Sequence, residues 1–252
     1  MSTFKIPYCK LCGGSIDGQQ LAIEIKGLTA SYPEGSENIL EGVDLEIKGG
    51  QRVALLGPNG AGKSSLLKTL VGVINVYSGT VRIFGHPVGK CRHQVTYLPQ
   101  RSDIDWGFPI SVYNLVLTGS YIHLGWFRKP KAEHKLKAFE AIRLMRLEEV
   151  KDRQIGKLSV GQQRRVLIAR SLVHDAQLFL LDEPFNAVDK ETKEVMKHAF
   201  QAIKEQGKTV LVATHDLGSM EEYYDAAIEI KEGKIIGKID YNNGKHKDGL
   251  DH

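Results

Sequence analysis

Two kinds of hydrophobic pattern divide the chain. Residues 21–28 alternate between apolar and polar side chains, and residues 38–47 again have a strand-like pattern. Alternation of this kind is typical of strands with one buried face. Residues 178–181 and 210–214 are instead apolar at nearly every position, as expected of strands that a parallel sheet buries on both faces. The sequence therefore predicts antiparallel strands near its beginning and a parallel sheet later on.

An amphipathic helix is predicted within residues 131–150. Leu136, Phe139, Ile142 and Met145 follow one another there at three-residue steps, with lysine, glutamate and arginine side chains between them. Apolar residues at such spacing are typical of a stripe along one side of a helix. We expect this stripe to be buried in the hydrophobic core.

Composition and charge are those of an ordinary globular protein. The chain has 252 residues, 42% of them hydrophobic and 25% charged, which suffices for one large domain with or without a subdomain. A net charge of +4 gives no argument for a nucleic-acid partner. The sequence has no apolar run of about 18 residues and no apolar stretch at its N-terminus that would predict a secretory signal. We expect a cytosolic protein, or one bound peripherally to the cytosolic face of a membrane.

The cysteines leave one question open. Three cysteines fit a reducing compartment better than a disulfide framework. Cys9 and Cys12 resemble half of a zinc knuckle, and a structural zinc site needs four ligands. Cys91 and His93 are the best candidates to complete it, although they lie far away in the sequence. The alternatives are a mobile N-terminal tail with two free thiols and a zinc site that bridges two chains.

A phosphate-binding loop is predicted at residues 57–64. This segment fits the pattern G-x-x-x-x-G-K-[ST], follows a short apolar strand and precedes a predicted helix. Backbone N–H groups and the helix N-terminus attract anions there, while Lys63 would reach the β- and γ-phosphates and Ser64 would be a ligand to Mg²⁺. We conclude that the loop binds a nucleoside triphosphate. The residues expected to contact it are Gly57, Pro58, Asn59, Gly60, Ala61, Gly62, Lys63, Ser64 and Ser65.

Two acidic residues follow the apolar run 178–181. Because ligands of open α/β sheets bind beyond the carboxyl ends of the strands, Asp182 and Glu183 should lie near the phosphates. Asp182 suits Mg²⁺, through a water molecule, and Glu183 suits the polarisation of an attacking water. The alternative, a surface acid pair, is disfavoured by the phosphate-binding loop.

Further motifs resemble those of the ATP-binding cassette (ABC) ATPases. Residues 158–165, Leu-Ser-Val-Gly-Gln-Gln-Arg-Arg, are similar to the LSGGQ signature of that family. The resemblance extends over about residues 21–238, with the motifs in the family's order. By this resemblance the aromatic side chain that stacks on adenine, the Q-loop, the D-loop and the switch histidine correspond to Tyr32, Gln100, Asp189 and His215.

The resemblance implies an α/β fold, a P-loop NTPase of ABC type. Such a fold has a mixed-sheet core, an antiparallel β subdomain and an inserted helical subdomain, here at about residues 101–175. The ATPase domain would span residues 21–240, between an N-terminal extension at 1–20 and a polar tail at 241–252. ATP and Mg²⁺ are the implied cofactors. The implied catalytic residues are Lys63, Glu183 and His215, and the implied magnesium ligands are Ser64, Gln100 and Asp182.

In this family the phosphate loop of one subunit meets the signature of another, so the resemblance implies a homodimer. Ser159, Gly161 and Gln162 would bind the γ-phosphate across that interface. The chain departs from the family pattern at Val160, where the first glycine of the signature usually stands. Since a valine rarely adopts positive φ, we expect that this position does not require it.

The segments 99–109, 119–121 and 124–128 resemble the ATPases of manganese, zinc and iron importers, as does the segment 184–189. This likeness implies integral membrane permease subunits, an extracytoplasmic metal-binding protein and a peripheral location on the cytoplasmic face of the cell membrane. Apolar contacts to a permease would come from Trp106, Phe108 and Trp126, with core packing as the alternative. An importer of an iron chelate or cobalamin, or a soluble non-transport ABC ATPase, stays open.

Overall fold

The computed structural model describes residues 20–32, 38–90, 92–100, 104–124, 128–186, 188–215 and 223–241. Four predicted features lie outside the described residues: nearly all of the N-terminal extension with Cys9 and Cys12, the residue Cys91, the tail after Tyr241, and Trp126.

The strands are β1 (Leu21–Ser31), β2 (Leu40–Lys48), β3 (Arg52–Leu56), β4 (Asn75–Ile83), β5 (His86–Pro87), β6 (Val95–Leu98), β7 (Leu178–Asp182), β8 (Thr209–Thr214), β9 (Ala226–Lys231) and β10 (Lys234–Asp240). The helices are α1 (Lys63–Leu70), α2 (Val112–Leu117), α3 (Tyr121–Leu124), α4 (Ala132–Leu144), α5 (Val160–His174) and α6 (Lys190–Glu205), with short 3₁₀ turns between them.

The alternating segments form an antiparallel sheet with the order β2-β1-β4-β5. On β1, Ile23 pairs with Ile47 of β2 and with Ile83 of β4. All three side chains are buried. The alternation therefore placed the apolar side chains on one face, as predicted.

The apolar runs belong to a second sheet with the order β10-β9-β3-β8-β7-β6. Strands β9, β3, β8, β7 and β6 are parallel, and β10 pairs with β9 in the antiparallel direction at the edge. The predicted mixed sheet is confirmed. Both faces of β7 are covered by hydrophobic cores, which explains its continuous apolar sequence.

The second sheet separates two hydrophobic cores. Leu178 and Leu180 of β7 face a core shared with α1 and the antiparallel sheet. Phe179 and Leu181 face the opposite core, which α2, α4, α5 and α6 complete. Successive side chains of one strand thus pack against the layers on both sides of the same sheet.

The predicted apolar stripe on α4 was half wrong. Ile142 and Met145 are fully buried, but Leu136 is 61% exposed and Phe139 is 46% exposed. The reason is geometrical: each step of three residues turns the side chain by about 60° around the helix axis, so Leu136 and Met145 lie on opposite sides. The helix buries Ala138 and Ile142 instead, at the four-residue spacing that keeps one face.

Candidate functional site

The predicted phosphate-binding loop joins β3 to α1 in the conformation that its glycines allow. Gly60 and Gly62 have φ values of 81° and 104°, which a side chain would strain. Gly57 has a different reason, because a Cβ there would collide with the carbonyl oxygen of Ile230. The helix α1 begins at Lys63, so its first N–H groups face the loop.

Lys63 is tied to the loop and to an acidic residue at the end of β7. Its ammonium group donates to the carbonyl oxygens of Gly57 at 2.7 Å and Pro58 at 3.0 Å. It also lies 3.6 Å from Oε1 of Glu183, and both side chains are buried. A buried carboxylate therefore balances the buried cation.

The first acidic residue, Asp182, accepts two hydrogen bonds. The hydroxyl of Ser64 donates to Oδ1 at 3.0 Å, and the hydroxyl of Tyr97 on β6 donates to Oδ2 at 3.3 Å. Burial raises the pKa of the Asp182 carboxyl, although these two hydrogen bonds oppose the rise. A buried carboxylate whose pKa is raised by desolvation gains from a nearby cation.

The second acidic residue, Glu183, has an unusual backbone. Its φ is 48°, a left-handed conformation that costs a non-glycine residue about 1–3 kcal/mol and that often marks a functional site. Its N–H donates to the carbonyl oxygen of Ala213 at 2.9 Å, which helps to hold this turn. Its Oε2 lies 3.0 Å from Nδ1 of His215, which follows directly after β8. The structure thus brings Lys63, Glu183 and His215 together.

Two side chains at this cluster were missed by the sequence analysis. Tyr97 reaches Asp182 from the neighbouring strand. Arg164, a buried residue of α5, donates to the carbonyl oxygens of Pro99 at 3.2 Å and of Glu183 at 2.8 Å. The position of Arg164 in a largely buried helix is a signal that could have been used, because a buried charge needs partners. Tyr97 gave no comparable signal.

The signature-like segment forms the N-terminus of α5. Ser159 caps the helix by accepting from the N–H of Gln162 at 3.2 Å, and the side chain of Gln162 accepts from the N–H of Ser159 at 3.0 Å. Val160 is the first helical residue, and it is not among the described non-glycine residues with positive φ. The departure from the family pattern therefore costs no backbone strain in this conformation.

Gly161 instead occupies a place with no room for a side chain. A Cβ there would lie 2.5 Å from Oγ1 of Thr192 and 2.8 Å from Oδ2 of Asp189. Asp189 caps α6, since its carboxylate accepts from the N–H of Thr192 at 2.7 Å and from its hydroxyl at 3.1 Å. These bonds lower the pKa of the Asp189 carboxyl, with the backbone N–H of Thr192 as the main cause. The N-termini of α5 and α6 are thus in direct contact.

The other predicted site residues outside the phosphate-binding loop have no described hydrogen bond to Lys63, Glu183 or His215. Tyr32 is 41% exposed at the end of β1, and Gln100 is exposed two residues after β6. The polar contacts described for Ser159 and Asp189 run within their own helix N-termini and not to residues 57–64. No described hydrogen bond therefore joins the signature-like helix end to the phosphate-binding loop of the same chain.

The profile of the ABC transporter family matches residues 40–186 of this chain, from before the phosphate-binding loop to beyond the acidic pair. The chain belongs to the ABC transporter family. The ATP-binding proteins of ABC transporters are ATPases, and this chain is one of them. Its fold is the ABC ATPase cassette, as predicted.

Curated relatives of this ABC ATPase are similar over most of their length. The chain is 43% identical to the zinc transport system ATP-binding protein TroB of Treponema pallidum, over 88% of this chain and 84% of that protein. It is 37% identical to the manganese transport system ATP-binding protein MntB of Bacillus subtilis, over 84% of each. A solved dimeric bacterial ABC transporter cassette superposes with a TM-score of 0.75 at 27% identity, covering 86% of this chain and 98% of that one.

Proposed function

We propose that this ABC ATPase energises the import of a divalent metal ion, manganese, zinc or iron, through separate membrane subunits. One observation carries the ATPase part, namely the contact of the buried Lys63 and the half-exposed His215 with the buried Glu183 carboxylate beside the phosphate-binding loop. The metal part rests on the two relatives, whose names specify zinc and manganese transport. The structure supports the proposed ATP site, whereas the proposed transport of a metal ion rests on the relatives.

ATP would bind on the loop 57–65. The positive backbone end of α1 and the Lys63 ammonium group would face its phosphates. Lys63 is now held by two loop carbonyl oxygens, and phosphate oxygens would compete for the same ammonium group. The exposed ring of Tyr32 would stack on the adenine, an interaction worth about 1–3 kcal/mol per base.

The residues around Asp182 fit Mg²⁺. A hydroxyl and a buried carboxylate 3.0 Å apart supply the oxygen atoms that this ion prefers, and the burial of Asp182 favours a cation. Ser64 would be a direct ligand, Asp182 would act through water, and Gln100 would approach from the end of the neighbouring strand. Mg²⁺ bound there would neutralise charge on the phosphate oxygens.

Glu183 is proposed as the general base. Its carboxylate would accept a proton from the water that attacks the γ-phosphorus, while the bond between the γ-phosphorus and the β,γ-bridging oxygen breaks. His215, in contact with the other carboxylate oxygen, would hold that carboxylate in place and sense the γ-phosphate. The fixed backbone at Glu183 keeps the base in one position.

Two chains are proposed to form two ATP sites. Ser159, Gly161 and Gln162 at the positive end of α5 would bind the γ-phosphate on the loop of a second chain, next to Asp189. The likeness to a dimeric cassette supports this arrangement. ATP would join the two chains, and hydrolysis would release them.

A membrane partner is proposed to dock beside β6. No helix in the described part of the chain has the length and hydropathy needed to cross a bilayer. A groove of about 320 Å³ lies there, mostly apolar, and its lining includes Tyr97, whose hydroxyl bonds to Asp182. A permease helix in this groove would touch Tyr97, which is hydrogen-bonded to the proposed magnesium-site residue Asp182. The other apolar lining includes Leu70, Val73, Ile83, Val88 and Ile122.

The cellular location and the further partners are proposed from the resemblance to the ATPases of metal importers. The ATPase would lie peripherally on the cytoplasmic face of the cell membrane, with an extracytoplasmic metal-binding protein in the same system. Phe108 is 56% exposed and so is available to a permease, whereas Trp106 packs against the core that contains α5.

Cellular metal content tests the proposal. Manganese, zinc and iron would be measured together in cells that carry the normal protein, a Lys63→Ala variant or a Lys135→Ala control on the exposed side of α4. We expect Lys63→Ala to lower one metal selectively, which would also identify the cargo, while the control matches the normal protein. Unchanged levels of all three metals would contradict metal import and leave the ATPase assignment intact.

A further inference from the structure

Arg164 joins two segments that carry proposed site residues. Its guanidinium group donates through Nη1 to the carbonyl oxygen of Pro99 and through Nη2 to that of Glu183. Pro99 directly precedes Gln100, and Glu183 directly follows the last residue of β7. One buried side chain of α5 therefore spans the carboxyl ends of two neighbouring parallel strands.

We propose that Arg164 is a positioning residue for ATP hydrolysis. By donating to the backbone carbonyl oxygens of Pro99 and Glu183, it fixes the position of Glu183 relative to Gln100. The inference rests on the roles proposed above for those two residues. Both of these contacts are to backbone carbonyl oxygens, so through them Arg164 would position the backbone of the two segments.

The need for such a residue follows from the backbone at Glu183. A left-handed glutamate persists only where the surroundings fix its peptide groups. The N–H is fixed by Ala213 of β8, and the carbonyl oxygen accepts from Arg164 and, at 3.2 Å, from the N–H of Asn186. The bond from Arg164 is the shortest of the three at 2.8 Å and is the one that bears a charge.

Arginine suits this task better than lysine. The planar guanidinium presents separate N–H groups in fixed directions and can reach two acceptors at once, while its charge is retained in a buried position. An ammonium group at the same place would keep the charge but lose the fixed fork. Arg164→Lys therefore separates the effect of charge from the effect of holding two segments.

The test compares Arg164→Gln and Arg164→Lys with the normal chain, and Arg170→Gln is the control. Arg170 lies on the same helix with an exposed side chain that donates to Oγ1 of Thr118. For Arg164→Gln we expect kcat to fall about 10–100-fold and the Mg²⁺ concentration for half-maximal activity to rise about 10-fold, since residues behind a metal site have effects of this size. The KM for ATP and the Kd for ATP measured without Mg²⁺ should change less than about 3-fold, because the phosphate loop is untouched.

Backbone amide exchange provides a readout independent of turnover. In Arg164→Gln, exchange should become faster in the peptides that contain Pro99–Gln100 and residues 183–186, and stay unchanged in β3 and α1. Equal acceleration in all of these segments would indicate general destabilisation and would overturn a positioning role. Arg164→Lys should recover less than half of the lost kcat, whereas full recovery would assign the effect to charge alone.

A double-mutant cycle with Glu183→Gln separates this inference from the function on which it rests. Adding Arg164→Gln to Glu183→Gln should lower the residual single-turnover rate by a smaller factor than in the normal chain, because Arg164 acts partly through Glu183. Equal factors would overturn the inference. If Glu183→Gln alone turned over normally, the proposed base would be wrong, whatever the Arg164 variants do. If Arg164→Gln does not fold, the same double-mutant cycle is measured with Arg164→Lys in its place.

Discussion

Gly161 of α5 packs directly against Thr192 of α6, so closely that a Cβ on Gly161 would lie 2.5 Å from the Thr192 hydroxyl oxygen. The signature-like segment therefore needs its second glycine for contact between two helix ends. Its first position, Val160, lies 39% exposed beside that contact. The geometry explains why one glycine of the usual pair is replaceable here.

Gly161→Ala should displace the N-terminus of α5 from α6 and lower stability. Overpacking of this kind costs about 1–3 kcal/mol, or roughly 2–10 °C in Tm for a chain of this length. We also expect lower ATPase activity, because Ser159 and Gln162 move with the helix end. Thermal unfolding and steady-state hydrolysis measure the two effects.

Val160→Gly is the matched control for Gly161→Ala. It alters the neighbouring residue without adding an atom to the contact, and we expect its ATPase rate to stay within about 3-fold of normal, as an exposed helix terminus tolerates substitution. A several-fold gain in activity would show that the valine impairs the signature.

The sequence predicted the features that depend on local pattern. The loop 57–64, the acidic pair at the end of β7 and the buried parallel strands all follow from residue type and order, and the structure has the loop between β3 and α1 and the apolar runs in parallel strands. The stripe on α4 failed because a three-residue step departs from the helical repeat, which left Leu136 and Phe139 exposed. Phe139 instead contacts the ring of Tyr113 from outside, with centroids 5.9 Å apart.

Contacts between residues that are far apart in the chain could not be predicted from the sequence. Arg164 and Tyr97 reach Glu183 and Asp182 only because β6 lies beside β7 and α5 packs over that pair of strands. The burial of the helix around Arg164 indicates only that its charge needs partners, and the pairing of Tyr97 with Asp182, 85 positions apart, has no signature in residue order. Their identification required the register of the sheet.

Glu183→Gln should hydrolyse ATP very slowly and preserve ATP binding. The amide has the shape of the carboxylate but is a much weaker base, and general bases contribute about 10²–10⁴-fold in rate. We expect ATP to accumulate on a dimer, visible by size-exclusion chromatography with light scattering and by single-turnover hydrolysis. Glu191→Gln, on an exposed residue in the first turn of α6, should behave as the normal chain. Near-normal turnover in Glu183→Gln would remove this residue from the role of base.

Ser64→Ala should raise the Mg²⁺ requirement of hydrolysis. The substitution removes one proposed oxygen ligand and the 3.0 Å hydrogen bond to Asp182. Loss of a group at a metal site typically lowers metal affinity by about 10-fold or more. Titration of ATPase activity with Mg²⁺ at fixed ATP measures the shift, and Ser78→Ala, on an exposed position of β4, serves as the control. An unchanged Mg²⁺ midpoint would contradict the assignment of Ser64.

The ion pair of Asp225 with Arg52 predicts a pH-dependent contribution to stability. Burial would raise the pKa of the Asp225 carboxyl, but hydrogen bonds from the N–H of Arg52 at 2.8 Å and from its guanidinium at 3.3 Å outweigh burial and hold the pKa below the ordinary 3.8. Lys204, at 3.5 Å, adds to this lowering. A carboxyl group with a lowered pKa in the folded state stabilises the fold above its unfolded pKa, and this contribution disappears as the pH falls through the folded value.

Asp225→Asn should therefore lower the free energy of unfolding by about 2 kcal/mol at pH 7, since hydrogen bonds to charged groups contribute about that much. The difference between normal and variant chains should begin to shrink near pH 3.8, where the carboxyl of the unfolded chain takes up its proton, and should be lost as the pH falls through the lower pKa of the folded chain. Urea unfolding from pH 7 down to the lowest pH at which both chains fold measures this difference. Asp152→Asn, at a carboxyl side chain that is 82% exposed, should show little effect at any pH. A difference at Asp225 that stays constant down through this range would mean that the carboxylate charge contributes nothing, and that the loss comes from packing alone.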